Sequence, residues 1–397
     1  MMDFSNYRFN NEAHVPIIKS KEVKEEPELK IFDRVYDFLE DRRERVLSGK
    51  INCIPWGLPG FEEDVPGIEQ AKFYGITGSQ KSAKSQIANY LFLFNPIRFA
   101  INNPDKVRLK IFYFSLEMSE QQIYIQYLSH LLYMIDDIRI SPKDLRSTSS
   151  DKPLDKEILN IMKRNEYIKH LKYLEENVIF IESVRNPFGI YKTMKDYAEN
   201  SGIQHKKTIE IINKDTGEIA ERLVVDDYYE PNDPEEYVIF IVDHISLLTP
   251  ENNTSIRESI VKFTSDYCVK LRNKYRFIPV VIQQQSADME SLENIKASKL
   301  RPSAAGLAEA KTTARDFDFL FGIFSPFKHE IPVYHGYDIT KLKDNIRFLE
   351  IVLAREGGGG SLYPLYFDGA VNYFQELPSP ENRNDLEKAY KLINTLK

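Results

Sequence analysis

The stretch Gly78-Ser-Gln-Lys-Ser-Ala-Lys84-Ser85 follows the apolar run Ala71–Ile76 and precedes the apolar segment Gln86–Phe94. Strand, glycine-led loop, then helix is the context in which successive backbone N–H groups cradle a chain of phosphates. There Gly78, Ser79, Gln80, Lys81, Ser82 and Ala83 would form the loop, Lys84 would reach the β- and γ-phosphates, and the Ser85 hydroxyl would ligate Mg²⁺. The usual pattern, G-x-x-x-x-G-K-[ST], has a second glycine where this chain has Ala83. A Cβ there narrows the loop without forbidding it, and a turn into a helix with an incidental lysine is the competing reading. Lys81 is a second loop cation, either solvated or in contact with nucleotide.

Two apolar runs end in carboxylates. Val238-Ile-Phe-Ile-Val-Asp243 reads as a buried strand whose terminal aspartate would orient Mg²⁺ beside a phosphate loop at the C-terminal edge of a parallel sheet. Apolar strands often end in Asp for no chemical reason, so the pairing with Gly78–Ser85 carries the weight. Ile111-Phe-Tyr-Phe-Ser115-Leu-Glu117-Met-Ser119 places a glutamate between a strand and a helix capped by Ser119. Set opposite a γ-phosphate, Glu117 could take a proton from attacking water as general base. Alternatively it serves only the helix dipole.

Positioning these groups requires an α/β scaffold. Candidate strands are Ala71–Ile76, Arg108–Phe114, Asn177–Glu182, Tyr237–Val242, Ile278–Gln283, Phe317–Phe324 and Arg347–Ala354, alternating with helical segments. Several are continuous apolar runs, as expected of strands covered on both faces in a mainly parallel sheet. Residues 1–27 are polar and read as a flexible arm. Residues 28–50 hold an amphipathic helix, Glu28–Leu47, whose apolar stripe needs a partner in this chain or another. Between Lys206 and Tyr237, two alternating runs around Asn213-Lys-Asp-Thr-Gly217 suggest a hairpin insertion followed by an acidic loop, Asp226–Glu236. A helix over Glu381–Lys397 closes the chain.

The 397 residues carry 53 basic and 60 acidic side chains, a net charge of −7. That excludes a protein that coats nucleic acid through a generally basic surface. At 42% hydrophobic and 28% charged, the chain is neither wholly disordered nor fibrous. Its two cysteines, Cys53 and Cys268, build no disulfide framework, and no Cys/His cluster has zinc spacing. No stretch reaches the roughly 18–20 apolar residues that span a bilayer. A reducing, cytoplasmic setting is the expectation.

Taken together, the three motifs resemble the ATPase domain of DnaB-type replicative helicases, the hexameric branch of the RecA-like family. Ile54-Pro-Trp-Gly57 looks like the turn that follows the family's linker helix. Ser115-Leu-Glu-Met-Ser119 matches the stretch whose glutamate activates water, and Asp243 falls at the magnesium aspartate. Pro279-Val-Val-Ile-Gln-Gln-Gln285 is similar to the strand ending in a γ-phosphate-sensing glutamine, here Gln285. Arg301-Pro302, Leu307, Glu309, Asp316 and Asp318 fall on the family's Arg-Pro, Leu-Arg-Glu and Asp-Ala-Asp pattern. Ile351-Val-Leu-Ala-Arg355-Glu-Gly357 aligns with the segment whose arginine reaches a neighbour's ATP, making Arg355 that finger.

The resemblance implies a RecA-like ATPase domain over residues 51–378 with an insertion at 206–236, a linker helix at 28–50 and a C-terminal helix at 379–397. It implies ATP and Mg²⁺ as cofactors, a homo-oligomeric and commonly hexameric ring, and single-stranded DNA in its pore. Lys296, Lys299 and Arg301, in the segment Ser286–Ser303, are the candidate DNA contacts; an ordinary solvated loop is the alternative. A primase or helicase loader is a further implied partner. Only about 50 residues precede the core, which suggests a phage or mobile-element type lacking the family's N-terminal domain.

Ala83, Leu353 in place of the lysine accompanying the finger, and Asp288 in place of an arginine after the sensor glutamine depart from the pattern. A run of glycines, Gly357–Gly360, adds a loosely restrained loop. These leave two rivals: a RecA/UvsX-like strand-exchange recombinase, and a weakly hydrolysing RecA-like scaffold or loader.

Overall fold

A computed structural model describes residues 30–149, 151–212, 219–251, 253–290, 294, 300–357 and 359–395. The arm at 1–27, the turn Asn213–Gly217, Lys296 and Lys299 lie outside the described residues. Nine strands make up the main sheet. They are β1 (Tyr74–Gly78), β2 (Arg108–Ser115), β3 (Val178–Ile181), β6 (Glu236–Asp243), β7 (Ile278–Gln284), β8 (Phe319–Phe324), β11 (Ile346–Ala354), β12 (Leu362–Asp368) and β13 (Tyr373–Glu376). Across the sheet their order is β13-β12-β11-β8-β1-β7-β6-β2-β3. Six run parallel, from β8 across to β3; β11, β12 and β13 extend the β8 edge antiparallel.

Both faces of the parallel block are buried, and the side chains sort by strand alternation. Tyr237, Ile239 and Ile241 of β6 join one core cluster, while Val238, Phe240 and Val242 join the other. This explains why that run is apolar without alternation. Trp56 is fully buried in the first cluster, packed edge-on against Tyr74, Phe92 and Phe321, and its indole N–H donates to the Val65 carbonyl at 2.7 Å. In sequence it lies between helix α1 (Lys30–Leu47) and the sheet, with α2 (Pro59–Asp64) following.

All seven anticipated strands exist, with shifted ends. The first begins at Tyr74 rather than Ala71, because Ala71 is left-handed with φ +58°, and it runs on into Gly78. Strands β12 and β13 have no counterpart among the anticipated ones. Pro364 interrupts the apolar run of β12, and proline is tolerated there only because an antiparallel flank lies away from the central ladder. The connection 325–345 also holds short structure, β9 (Val333–Tyr334) paired with β10 (Tyr337–Asp338). The closing helix spans Arg383–Thr395 among the described residues.

The insertion is a hairpin of β4 (Gly202–Ile212) and β5 (Ile219–Pro231). The expected acidic loop is corrected: Asp226–Glu230 belong to β5, Glu236 begins β6, and only the residues between Pro231 and Glu236 are loop. These acids are paired within the chain. Asp226 meets Lys274, Asp227 meets Lys207 at 2.7 Å, Asp233 meets Arg108, and the Tyr197 hydroxyl donates to Glu236 at 2.9 Å.

Helix α1 touches the core through polar groups. Arg45 forms a two-pronged pair with Glu235 at 2.6 and 2.8 Å, Lys50 adds a third contact at 3.0 Å, and Arg42 meets Glu69 at 2.8 Å. Phe32, Val35, Tyr36, Phe38 and Leu39 are half exposed or more. The apolar stripe therefore does not pack on its own domain.

Candidate functional site

At the C-terminal end of β1 the chain turns through Ser79–Ala83 into α3 (Lys84–Asn89), which continues through a π-helical turn, Tyr90–Phe94, into α4 (Asn95–Asn102). Gly78 is required by close approach: a Cβ there would meet the Ile323 carbonyl oxygen and the Ser82 hydroxyl at 2.6 Å. Lys81 and Ala83 are left-handed, with φ of +59° and +77°. Alternating right- and left-handed residues turn backbone N–H groups into an anion-binding concavity. Ala83 adopts the conformation that its usual glycine would take at less strain.

Gln80, Lys81, Ala83, Lys84, Ser85, Glu117, Asp243 and Gln284 line one open cavity of about 520 Å³. The parallel sheet brings these groups together because β1, β6 and β2 all end at this edge, with Ser115 opposite Asp243 in register. The Ser85 hydroxyl donates to Asp243 Oδ1 at 3.1 Å. The Tyr113 hydroxyl stands between Asn89 Oδ1 at 2.9 Å and Asp243 Oδ2 at 3.3 Å. Burial pushes the Asp243 carboxyl up to about 6, partly offset by the Ser85 hydrogen bond. A buried carboxylate beside a hydroxyl is a hard oxygen donor set that suits Mg²⁺. The Lys84 ammonium donates to the Ser79 carbonyl at 2.7 Å.

Glu117 follows β2 and precedes α5 (Glu120–Asp136), whose capping box joins Ser119 and Gln122, as the sequence anticipates for Ser119. Its carboxylate is largely exposed and lies 3.9 Å from His244 Nε2. Among the described residues, His244 Nδ1 is buried without a hydrogen-bond partner, and burial lowers the histidine's pKa.

Gln285 is not among the cavity-lining residues. Its amide donates to Thr77 Oγ1 at 2.8 Å and to the Ser303 carbonyl at 3.0 Å, and it accepts from the Ser303 N–H at 3.2 Å. Gly306 makes room for it, since a Cβ there would stand 2.1 Å from Gln285 Oε1. The neighbouring Gln284 lines the cavity instead. Strand alternation could have separated the three glutamines; the motif alone could not.

Arg355 lies far from its own phosphate loop. It follows the end of β11, where Ala354 pairs with Phe319, beside the beginning of β1. The guanidinium donates to the Phe317 carbonyl at 3.0 Å and to the Arg315 carbonyl, with Asp318 at 3.7 Å. The arginine at the loop's end of β11 is Arg347, buried and lining the cavity, with its guanidinium 4.4 Å from the Phe367 ring centroid. Eight residues of strand put Arg347 and Arg355 about 26 Å apart. From sequence Arg347 reads only as a strand residue, and nothing in its spacing marks it. Arg301 forms a two-pronged pair with Glu350 at 2.6 and 3.1 Å.

Among the described residues, no cluster of three or more His, Cys, Asp or Glu could hold a metal, Cys53 and Cys268 are free, and no helix is long and apolar enough to cross a membrane.

The parallel sheet, the phosphate loop at its C-terminal edge and the carboxylates on adjacent strands define a RecA-like α/β core. More particularly, the fold is that of the ATPase domain of DnaB-type replicative helicases. A solved structure of an ATPase domain, that of a DnaB-like replicative helicase, aligns with a TM-score of 0.57 at 15% identity, covering 88% of this chain and 98% of that one. A second, described as a DnaB-like replicative helicase and its interactions with primase, aligns at 0.59 and 15% identity, covering 88% and 68%. No protein-family model matches the sequence, and no curated protein does.

Proposed function

We propose that this chain is an ATP-dependent DNA helicase of the DnaB type, unwinding duplex DNA in replication by translocating on single-stranded DNA as a ring of its own copies, commonly six. The observation that carries the reading is the division of labour along β11. Lys84, Ser85, Glu117 and Asp243 share one cavity, while Arg355 stands at the opposite end of the strand, where it can serve only another copy's site.

In this reading the loop N–H groups and Lys84 bind the phosphates, and Ser85 with Asp243 holds Mg²⁺, which neutralises charge on the β- and γ-oxygens. Glu117 accepts the proton of the attacking water, with His244 beside it. Gln285 links Thr77, next to the loop, to the segment 286–303 that would face DNA. Movement of the loop on hydrolysis therefore has a hydrogen-bonded route to Ser303. Lys296, Lys299 and Arg301 are the proposed DNA contacts, Arg301 after exchanging or sharing its Glu350 partner. The exposed stripe of α1 would dock on an adjacent copy.

A primase or loader partner and a cytoplasmic setting, in a bacterial cell or an infected host, belong to the same proposal. Displacement of a labelled strand from a forked duplex tests it. ATP-dependent displacement by the unaltered chain, absent in Lys84→Ala, is expected; DNA-dependent filaments with no displacement would favour a recombinase.

A further inference from the structure

The phosphate loop is held from outside by two cations that the sequence motifs do not include. Lys328 follows the end of β8 and donates to the Gln80 carbonyl at 2.8 Å, with Ser79 Oγ at 3.4 Å. Arg347, at the start of β11, donates through Nε to the Ser82 carbonyl at 3.2 Å. Its other nitrogens are fixed by the Asp344 and Ile346 carbonyls, each at 2.8 Å, and by Asp344 Oδ1 at 2.9 Å. The Ser79 carbonyl takes the Ser82 hydroxyl at 2.8 Å and, in this structure, Lys84.

These contacts fall on the loop's carbonyl side. A phosphate cradle works only when N–H groups converge inward, which requires the carbonyls to stay outward. Here two of the loop's residues, Lys81 and Ala83, are left-handed without being glycine, so the backbone's own preference works against the cradle. A strap pulling on Gln80 and Ser82 opposes that tendency. We propose that Lys328, together with Arg347, is a positioning residue that preorganises the phosphate loop and thereby sets nucleotide affinity. The inference rests on the reading of this cavity as a nucleotide site. Because Lys84 must leave the Ser79 carbonyl to reach a phosphate, the strap keeps the loop in shape during that exchange.

The test is titration of the full chain with a fluorescent ATP analogue and Mg²⁺. Arg347 is buried, so Lys328, which is partly exposed, is the residue to change. Lys328→Met keeps the stem and removes the donor; the dissociation constant should rise about tenfold. Lys328→Arg should restore affinity to within about twofold, and the nucleotide-free Lys328→Met chain should melt at the unaltered temperature. Equal affinity of Lys328→Met and the unaltered chain, or loss of affinity tracking loss of melting temperature, would overturn the strap while leaving the nucleotide site standing. No binding by the unaltered chain would overturn both.

Discussion

The Ser85 hydroxyl donates to Asp243 Oδ1 at 3.1 Å, joining the first turn after the phosphate loop to the end of β6. These residues are 158 positions apart, and they meet because β1 and β6 lie one strand apart in a parallel sheet. The pair is expected to hold Mg²⁺ between them. Asp243→Asn keeps the shape and removes the charge, so the Mg²⁺ concentration for half-maximal nucleotide binding should rise on the order of 10–100-fold. An unchanged Mg²⁺ titration would remove Asp243 from the metal site.

Glu117 separates binding from chemistry. Its carboxylate lines the cavity but makes no hydrogen bond to the loop, so Glu117→Gln should leave nucleotide affinity within about twofold. Turnover should fall on the order of 10²–10⁴-fold. Rapid-quench hydrolysis alongside equilibrium binding reads both quantities; a matched loss in each would assign Glu117 a structural role.

Arg355 makes the shared-site account testable by mixing. Alone, Arg355→Ala should bind nucleotide and hydrolyse it on the order of 10³–10⁵ more slowly. Mixed with Lys84→Ala, it should regain turnover, because some interfaces then pair an intact loop with an intact arginine. Mixtures no more active than either variant would place Arg355 outside the reaction.

The attachment of α1 depends on charge. The Arg45 guanidinium hydrogen-bonded to Glu235 holds that carboxyl below its ordinary value of 4.5, against the opposing effect of burial. A depressed carboxylate contributes stability above its unfolded value and loses it as pH falls through the folded value. Below pH 4.5, α1 should therefore detach progressively. Glu235→Gln should weaken its docking at pH 7 by about 1.5–3 kcal/mol. Amide exchange of Lys30–Leu47, corrected for intrinsic rates, measures this; exchange unaffected by Glu235→Gln would mean the helix is held otherwise.

Strand positions were legible because a sheet covered on both faces leaves long apolar runs, and the chemical residues were legible where they end those runs. Glu117 and Asp243 are of that kind. Arg347 was not, since its role depends on β11 pairing antiparallel with β8 and so delivering one end to the phosphate loop. The same reversal sends Arg355 to the far end. Lys328 comes from a connection whose sequence has no periodicity, and only contact with Gln80 singles it out. Glu236 and Asp226–Glu230 read as loop because acids are rare in strands, yet each strand acid described above has a cation or hydroxyl within the chain to offset its burial or repulsion.

The central claim is that the cavity around Lys84 hydrolyses ATP between copies of this chain. Steady-state phosphate release with Mg²⁺ and ATP, with and without single-stranded DNA, tests it most directly when Lys84→Ala is run in parallel. The account predicts DNA-stimulated turnover that rises more than linearly with protein concentration as copies assemble, and background in Lys84→Ala. Turnover no greater than that of Lys84→Ala at every concentration, with or without DNA, would contradict it.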